Sequence, residues 1–357
     1  MRVVLEHLSK RFGPVIAVDD ISLTVGEGEL VALLGPSGCG KSTALFLVAG
    51  LYRPSAGRIL FGDRVVNDVP PQNRGVGMMF QSYALYPHLT VFENIAFPLR
   101  VKRLPAGEVS RRVHEVAALA GITEVLPRRP GQLSGGQQQR VALCRALVKA
   151  PAVLLLDEPL SNLDARLREV TRAEIKRLQR ELRITTLFVS HDQAEALGIA
   201  DRVGVMQNGK LVAVMTPGEL YDHPPSRFVA EFIGTPPMNF LQVQVADGRL
   251  TFGSMVIHRL SRPVLPGGYV LGIRPEHLRI AAQGELHAEV MLAEPMGREV
   301  LIHALCGEAH LRILADARTR VMPGQSVRLQ FEWEQAHLFD PENGTVVPLT
   351  VSQEAAR

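Results

Sequence analysis

Residues 30–43 read Leu30-Val-Ala-Leu-Leu34-Gly35-Pro-Ser-Gly-Cys-Gly-Lys-Ser-Thr43: five apolar residues run straight into a glycine-rich turn that closes on a lysine and a serine. The apolar run reads as a buried strand, and Lys41 to Ala49 as the helix after it. The glycines between them let successive backbone N–H groups point inward at phosphate oxygens, and the helix N-terminus adds positive potential. Gly35-x-x-x-x-Gly40-Lys41-Ser42 has the spacing and the strand–turn–helix setting of a P-loop. Lys41 would then reach the β- and γ-phosphates of ATP and the Ser42 hydroxyl would ligate Mg²⁺. Gly35, Pro36, Ser37, Gly38, Cys39, Gly40 and Thr43 would complete the cradle. A ligand-free turn would not need lysine and serine in this register. Alone, the motif says only that a nucleotide binds.

Outward from this turn the first ~235 residues alternate apolar β-type runs with helical stretches, the pattern of an α/β domain with a largely parallel sheet. Val153-Leu-Leu-Leu-Asp157 and Thr186-Leu-Phe-Val-Ser190 read as further strands. Residues from about 85 to 150 read as a helical insertion; Glu108 to Ala120, for instance, puts Val109, Val113, Val116 and Leu119 near one face. Asn208-Gly209 signals a hairpin. From about 236 to 357 the character changes to short strands and turns. Val327, Leu329, Phe331 and Trp333 alternate with Arg328, Gln330 and Glu332, the period of a half-buried strand. A C-terminal all-β, barrel-type domain fits, as one barrel or two barrel-like pieces, with a polar tail after Val351.

Composition narrows the classes. The chain has 357 residues, enough for two domains, with 46% apolar and 21% charged residues, ordinary for a globular protein. A net charge of +3 without a basic tract gives no reason to expect nucleic acid. Cys39, Cys144 and Cys306 have no metal-type spacing, which suggests a reducing compartment. No signal-peptide pattern opens the sequence, and no apolar run approaches the ~20 residues that cross a bilayer.

The remaining chemistry lies at strand ends. Val153 to Leu156 deliver Asp157 and Glu158 to the C-terminal end of a strand, where ligands of open α/β sheets bind. Asp157 would hold Mg²⁺ and Glu158 would polarise the attacking water. Gln81, after Gly75-Val-Gly-Met-Met-Phe80, would touch both Mg²⁺ and that water. His191, after Ser190, would donate to the γ-phosphate, although a lone histidine there is commonly structural. Phe12 offers a ring for adenine, or simply core packing.

A second glycine loop, Leu133-Ser-Gly-Gly-Gln137, has no hydrophobic reason to exist. Together with the P-loop, Gln81, Asp157-Glu158, Ser161-Asn-Leu-Asp164 and His191, it resembles the nucleotide-binding subunit of ATP-binding cassette transporters, in order and rough spacing and over the whole chain. The resemblance implies a homodimer in which Ser134, Gly135, Gly136 and Gln137 close over the ATP held by the partner copy's P-loop, with Asp164 near the same interface. A plain helix N-cap at Ser134 would not explain two glycines and a glutamine. Tyr83-Ala-Leu-Tyr-Pro-His-Leu-Thr90 falls where this family docks its membrane subunit, so its aromatics are either a partner surface or buried packing.

The C-terminal stretches Gly234-Thr-Pro-Pro-Met-Asn-Phe240, Gly272-Ile-Arg-Pro-Glu-His277, Glu294-Pro-Met-Gly-Arg-Glu299 and His337-Leu-Phe-Asp340 look like those of the maltose-type sugar importer ATPases, with a TOBE-type barrel. The resemblance implies uptake of an oligosaccharide or of glycerol-3-phosphate through two permease subunits at the cytoplasmic face of the membrane, with a separate solute-binding protein. Polyamine and ferric-iron importer ATPases carry similar barrels and remain the alternative. A soluble cassette ATPase of translation or DNA repair would bring two fused cassettes or a coiled-coil insertion, neither of which is present here.

Overall fold

The computed structural model describes residues 1–259 and 264–348; the polar tail expected after Val351 lies outside them. The chain forms two compact units, Met1–Pro217 and Gly218 onward.

In the first unit a six-stranded sheet runs in the order β10-β9-β3-β8-β7-β6. Its strands are β3 (Leu30–Leu34), β6 (Val76–Met79), β7 (Val153–Asp157), β8 (Thr185–Ser190), β9 (Arg202–Gln207) and β10 (Lys210–Met215). All are parallel except β10, which folds back on β9 through Asn208-Gly209, both at positive φ (49° and 81°) as a tight hairpin turn requires. Every residue of β3, β7 and β8 is buried, which is why these strands read as unbroken apolar runs. A second, antiparallel sheet holds β1 (Val3–Phe12), β2 (Val15–Val25), β4 (Ala56–Phe61) and β5 (Arg64–Val65). The helix α1 (Lys41–Ala49) shares one apolar core with both sheets: Leu5 and Ile21, Leu45 and Leu47, Leu155 and Val189 belong to the same cluster.

The C-terminal end of α1 is held by Arg74, only 5% exposed. Its guanidinium donates to the carbonyls of Leu47 (2.8 Å), Val48 (3.0 Å), Val69 (2.8 Å) and Asn67 (3.0 Å). A cation at a helix C-terminus also complements the dipole.

Between β6 and β7 the chain forms α2 (Val91–Val101), α3 (Ala106–Leu119) and α4 (Gly135–Leu147), packed on Ile95, Leu99, Val113, Val141 and Cys144. On α3 the buried stripe is Val109, Val113 and Ala117, with Val116 and Leu119 only partly covered. A capping box starts α2: Thr90 Oγ1 accepts from Glu93 N (3.2 Å) and Glu93 Oε2 from Thr90 N (2.8 Å). The fully buried Asn94 secures the preceding loop through Tyr86 N (2.8 Å) and the carbonyls of Tyr86, Leu89 and Thr90. After β7 come α5 (Ala165–Leu182) and, after β8, α6 (Gln193–Ile199).

The second unit opens with the short helices α7 (Pro217–Asp222) and α8 (Arg227–Phe232) and continues in two antiparallel sheets. Their strands are β11 (Asn239–Ala246), β12 (Arg249–Phe252), β13 (Met255–Arg259), β14 (Gly267–Ile273), β15 (Arg279–Ile280), β16 (Leu286–Pro295), β17 (Glu299–Cys306), β18 (Ala309–Asp316), β19 (Ser326–Gln330), β20 (Ala336–Phe339) and β21 (Val346–Val347). One sheet has the order β13-β12-β11-β14-β20-β21 and the other β15-β19-β16-β17-β18. Leu241, Leu271, Ile302, Leu329 and Leu338, drawn from both sheets, share one core. The division at Pro217/Gly218 lies upstream of the boundary at 235 suggested by the sequence. Arg274, 1% exposed, ties residues 221–233 to the second unit: it lies over the Tyr221 ring (4.1 Å) and donates to the carbonyls of Tyr221 (2.9 Å), Ala230 (3.2 Å) and Ile233. The strand expected through Trp333 stops earlier: β19 spans Ser326–Gln330 and Trp333 begins a 3-10 turn, its ring stacked on His258 (4.2 Å). Burying Phe331 and Trp333 against the core does not need them in the ladder.

Among the described residues, no helix is long and apolar enough to cross a membrane.

Candidate functional site

The turn between β3 and α1 is built by close approach. Gly40 has φ of +104°, and a Cβ there would stand 2.2 Å from the Ala17 carbonyl oxygen; at Gly35 it would stand 2.3 Å from that of Met206. Side chains are therefore excluded where the chain must bend back. No side chain caps α1, so its first N–H groups face outward as an anion site. The turn opens on a polar cleft of about 230 Å³ lined by Ala17, Ser37, Lys41, Thr43 and, across from them, Glu158. Lys41 is buried, its ammonium donating to the carbonyls of Gly35 (2.7 Å) and Pro36 (3.0 Å) and lying 3.7 Å from Cys39 Sγ. Cys39 itself is 4% exposed.

At the end of β7 the two carboxylates face different partners. Asp157 is buried and accepts from the Ser42 hydroxyl at 2.8 Å. Burial raises the pKa of its carboxyl, with the Glu158 charge adding to that, while the Ser42 hydrogen bond and Lys41 pull the other way. Glu158 sits at φ of +44°, rare for a residue with a side chain. Its carbonyl accepts from Ser161 N (3.3 Å) and Oγ (3.0 Å), which hold that turn. The carboxylate is met twice on one oxygen: Gln81 Nε2 and His191 Nδ1 each lie 3.0 Å from Oε2. Three separated strand ends thus converge on one carboxylate, a strained residue of the kind that gathers at functional sites.

The donor set suits a hard, oxygen-seeking dication: a hydroxyl and a carboxylate already in contact, with the Gln81 amide beside the neighbouring carboxylate. A carboxylate raised in pKa by burial is one that an added cation would relieve. Among the described residues no cluster of three or more His, Cys, Asp or Glu side chains stands ready to hold a metal. Mg²⁺ at such a site depends on nucleotide phosphates for part of its shell, the usual manner for this ion.

Phe12 is 42% exposed rather than buried in a core, and its ring meets Tyr52 edge-on at 5.2 Å beneath Lys10 Nζ (4.9 Å). Sequence reasoning missed Tyr52, which carries no motif. It also missed Asn162, whose Nδ2 donates to the Gln81 carbonyl at 2.8 Å and ties the Ser161–Asp164 turn to Gln81.

The second glycine loop begins α4. Ser134 is its N-cap, and a capping box joins it to Gln137: Gln137 Oε1 accepts from Ser134 N (3.0 Å) and Ser134 Oγ from Gln137 N (3.4 Å). Gly136 is buried, and a Cβ there would approach Leu167 Cδ2 to 2.9 Å, whereas Ser134 and Gly135 are exposed. These residues satisfy one another and do not line the cleft of their own chain. Asp164, also exposed, caps α5 by accepting from Leu167 N at 2.9 Å.

The stretch 83–90 proves mixed. Tyr83 is 5% exposed, its hydroxyl buried without a partner, and burial raises its pKa. Tyr86 is at the surface, its ring 4.8 Å from Phe97 and 5.6 Å from the Arg145 guanidinium, beside a groove of about 350 Å³ lined by Met78, Phe80, Ala84, Phe97 and Arg145.

Comparison with known proteins shows the family. A family model described as ABC transporter matches residues 18–161, and one described as TOBE domain matches 271–339. The trehalose/maltose import ATP-binding protein of Thermococcus litoralis is 47% identical over 97% of this chain and 99% of its own length. The sulfoquinovosyl glycerol transport ATP-binding protein of Agrobacterium fabrum is 44% identical (95% and 97%), and the sn-glycerol-3-phosphate import ATP-binding protein of Ruegeria pomeroyi 42% (96% and 98%). Among solved structures, the dimer of a bacterial ABC transporter cassette superposes with a TM-score of 0.55 at 30% identity, covering 60% of this chain and 98% of that one. A post-hydrolysis dimer of that cassette bound to ADP and Pi gives 0.54 at 31%, with the same coverage.

Proposed function

Since the chain belongs to the ATP-binding proteins of ABC importers, we propose that it powers carbohydrate uptake by hydrolysing MgATP between two copies of itself. The import ATP-binding relatives align over nearly its whole length, and those quoted above serve sugars or glycerol derivatives. It is an ABC-type ATPase with a TOBE domain. The solute is an oligosaccharide or a glycerol-phosphate-like molecule.

Glu158 carries the hydrolytic assignment. Its carboxylate, fixed between Gln81 and His191 and facing the phosphate turn across the cleft, is placed to take a proton from water attacking the γ-phosphate. Gln81 orients that water, and His191 donates to the γ-phosphate. Lys41 exchanges its loop carbonyls for phosphate oxygens, while the uncapped N-terminus of α1 and the N–H groups of residues 35–43 bind the rest. Phe12 stacks on the adenine. Ser42, Asp157 and Gln81 would hold Mg²⁺, which when bound neutralises phosphate charge.

Ser134, Gly135, Gly136 and Gln137 serve the partner copy. The exposure of Ser134 and Gly135, the absence of all four from the cleft of their own chain and their place at the positive end of a helix support a role on a nucleotide bound elsewhere. Asp164 lies on the same face of the exchange. A two-fold dimer supplies the missing loop twice, and ATP joins the two copies until hydrolysis. Two permease subunits and a solute-binding protein complete the importer, holding this chain at the cytoplasmic side of the membrane.

The test is affinity purification of Glu158→Gln with MgATP from detergent-solubilised membranes of the native cells. Permease subunits with a carbohydrate-binding protein are the expected companions. Ribosomal or repair proteins in their place would refute the importer.

A further inference from the structure

Immediately after Gln81 the backbone does something costly. Tyr83 and Ala84 are consecutive non-glycine residues in the left-handed region, with φ of +59° and +49°. Local bonding gives this turn little support: the Tyr83 N–H donates to the Phe80 carbonyl at 2.9 Å, and Asn162 reaches only as far as the Gln81 carbonyl. What grips it is Arg145, from the last turn of α4. Its two terminal nitrogens donate to the Tyr83 and Ala84 carbonyls, both at 2.7 Å, one to each strained residue. Burial lowers the pKa of this guanidinium, and no carboxylate is bonded to it. Its face also meets the Tyr86 ring at the edge of the groove. Arg145 therefore joins three things: the helix that begins at Ser134, the groove, and the turn that delivers Gln81 to Glu158.

We propose that Arg145 is a positioning residue for hydrolysis, a two-pronged latch that keeps residues 83–84 left-handed and thereby keeps Gln81 on Glu158. The inference rests on the ATPase reading of the site and extends it to how that site is regulated. Both prongs are required, because one donor cannot fix two successive carbonyls. A partner seated in the groove against Tyr86 would act on the same guanidinium, so occupancy of the groove and placement of Gln81 are read by one side chain. Arg145 does not line the phosphate cleft; it acts through the backbone.

The latch has a specific signature. Glycine adopts positive φ without strain, so Ala84→Gly removes one of the two strained residues the latch holds and should make it partly dispensable. Ala84 is exposed, and the single variant should keep wild-type turnover. Arg145→Met and Arg145→Lys should each lower kcat by roughly 10- to 100-fold, as expected when a distant change misplaces a reacting group by about 1 Å. KM for ATP should stay within about twofold, because the phosphate turn is untouched. Adding Ala84→Gly to either variant should recover part of the lost kcat, the Tyr83 carbonyl still lacking its donor. Hydrogen exchange in the peptide covering residues 80–86 should quicken in the single Arg145 variants and slow again in the doubles.

Wild-type kcat in Arg145→Met would overturn the latch. So would a lowered kcat that Ala84→Gly fails to restore even in part, since Arg145 would then act only by packing. If Arg145→Met does not fold, the lysine pair decides by the same two outcomes. An inactive wild-type chain measured alongside would instead count against the ATPase reading.

Discussion

Replacing Glu158 by glutamine separates the chemistry of the site from its shape. Both groups that meet the carboxylate do so at Oε2, Gln81 Nε2 and His191 Nδ1 each at 3.0 Å. A glutamine can put its amide oxygen in that place and still accept from Gln81, so the convergence of strand ends should survive. What disappears is the basicity that takes the proton from water. A positioned general base contributes about 10²–10⁴ to turnover, roughly 2.7–5.4 kcal/mol of barrier. Steady-state phosphate release at saturating MgATP should fall by that factor. Affinity for ATP should change by less than about threefold, since no group of the phosphate turn is altered. Light scattering should show a lasting MgATP-dependent dimer. His191→Ala removes both a contact to that oxygen and the proposed donor to the γ-phosphate, so the double variant should be slower than Glu158→Gln alone. Turnover within about threefold of wild type in Glu158→Gln would refute a role for this carboxylate as base.

Other expectations test the surroundings of the site and the second unit. Gly40→Ala forces a Cβ to 2.2 Å from the Ala17 carbonyl at φ of +104°, and should weaken ATP binding by roughly a hundredfold or more; wild-type affinity would contradict the close-approach account. Cys39, 4% exposed beside Lys41, should react slowly with maleimides, lose activity when modified and be protected by MgATP; full activity after stoichiometric modification would show that the thiol does not guard the cradle. Burial, with Arg274, His223 and His277 around it, lowers the pKa of His337 to about 4, against 6.5 for a free imidazole. As pH falls from 6.5 toward 4 the unfolded chain takes up a proton that the folded chain refuses. Stability is therefore lost on acidification, at up to about 1.4 kcal/mol per pH unit. His337→Gln should flatten the fall of the urea midpoint over that window, and an unchanged slope would assign the acid sensitivity elsewhere.

The first unit was largely legible because its signals are local. A buried parallel strand is an apolar run, a phosphate turn is a glycine spacing, and Asn208-Gly209 is a hairpin; the stretches 30–34, 41–49 and 153–157 lie where their residues place them. What the sequence hides is convergence. Gln81, Glu158 and His191 are each visible as strand-end residues, but nothing in their spacing says that two of them share one oxygen of the third. The buried arginines are hidden for a different reason. Nothing local marks Arg74, Arg145 and Arg274 as structural ties, because their partners are backbone carbonyls, which every residue has. Arg274 also ties residues 221–233 to the second unit. In the second unit alternation predicted burial well and ladder membership less well: Phe331 and Trp333 pack on the core from outside a strand.

The thirteen residues of α4 have a mechanical consequence. Gly135 and Arg145 stand at opposite ends of one uninterrupted helix, ten residues or about 15 Å apart along its axis at 1.5 Å per residue. Over that length the helix is a stiff rod, so a tilt of about 5° at one end sweeps the other by roughly 1 Å. That displacement is comparable to the margin by which a hydrogen bond is made or lost. A surface at Ser134 and a turn at Tyr83 are therefore geared to each other whatever covers either of them. No substitution on the exposed side of the rod would uncouple them; only a break in its middle would.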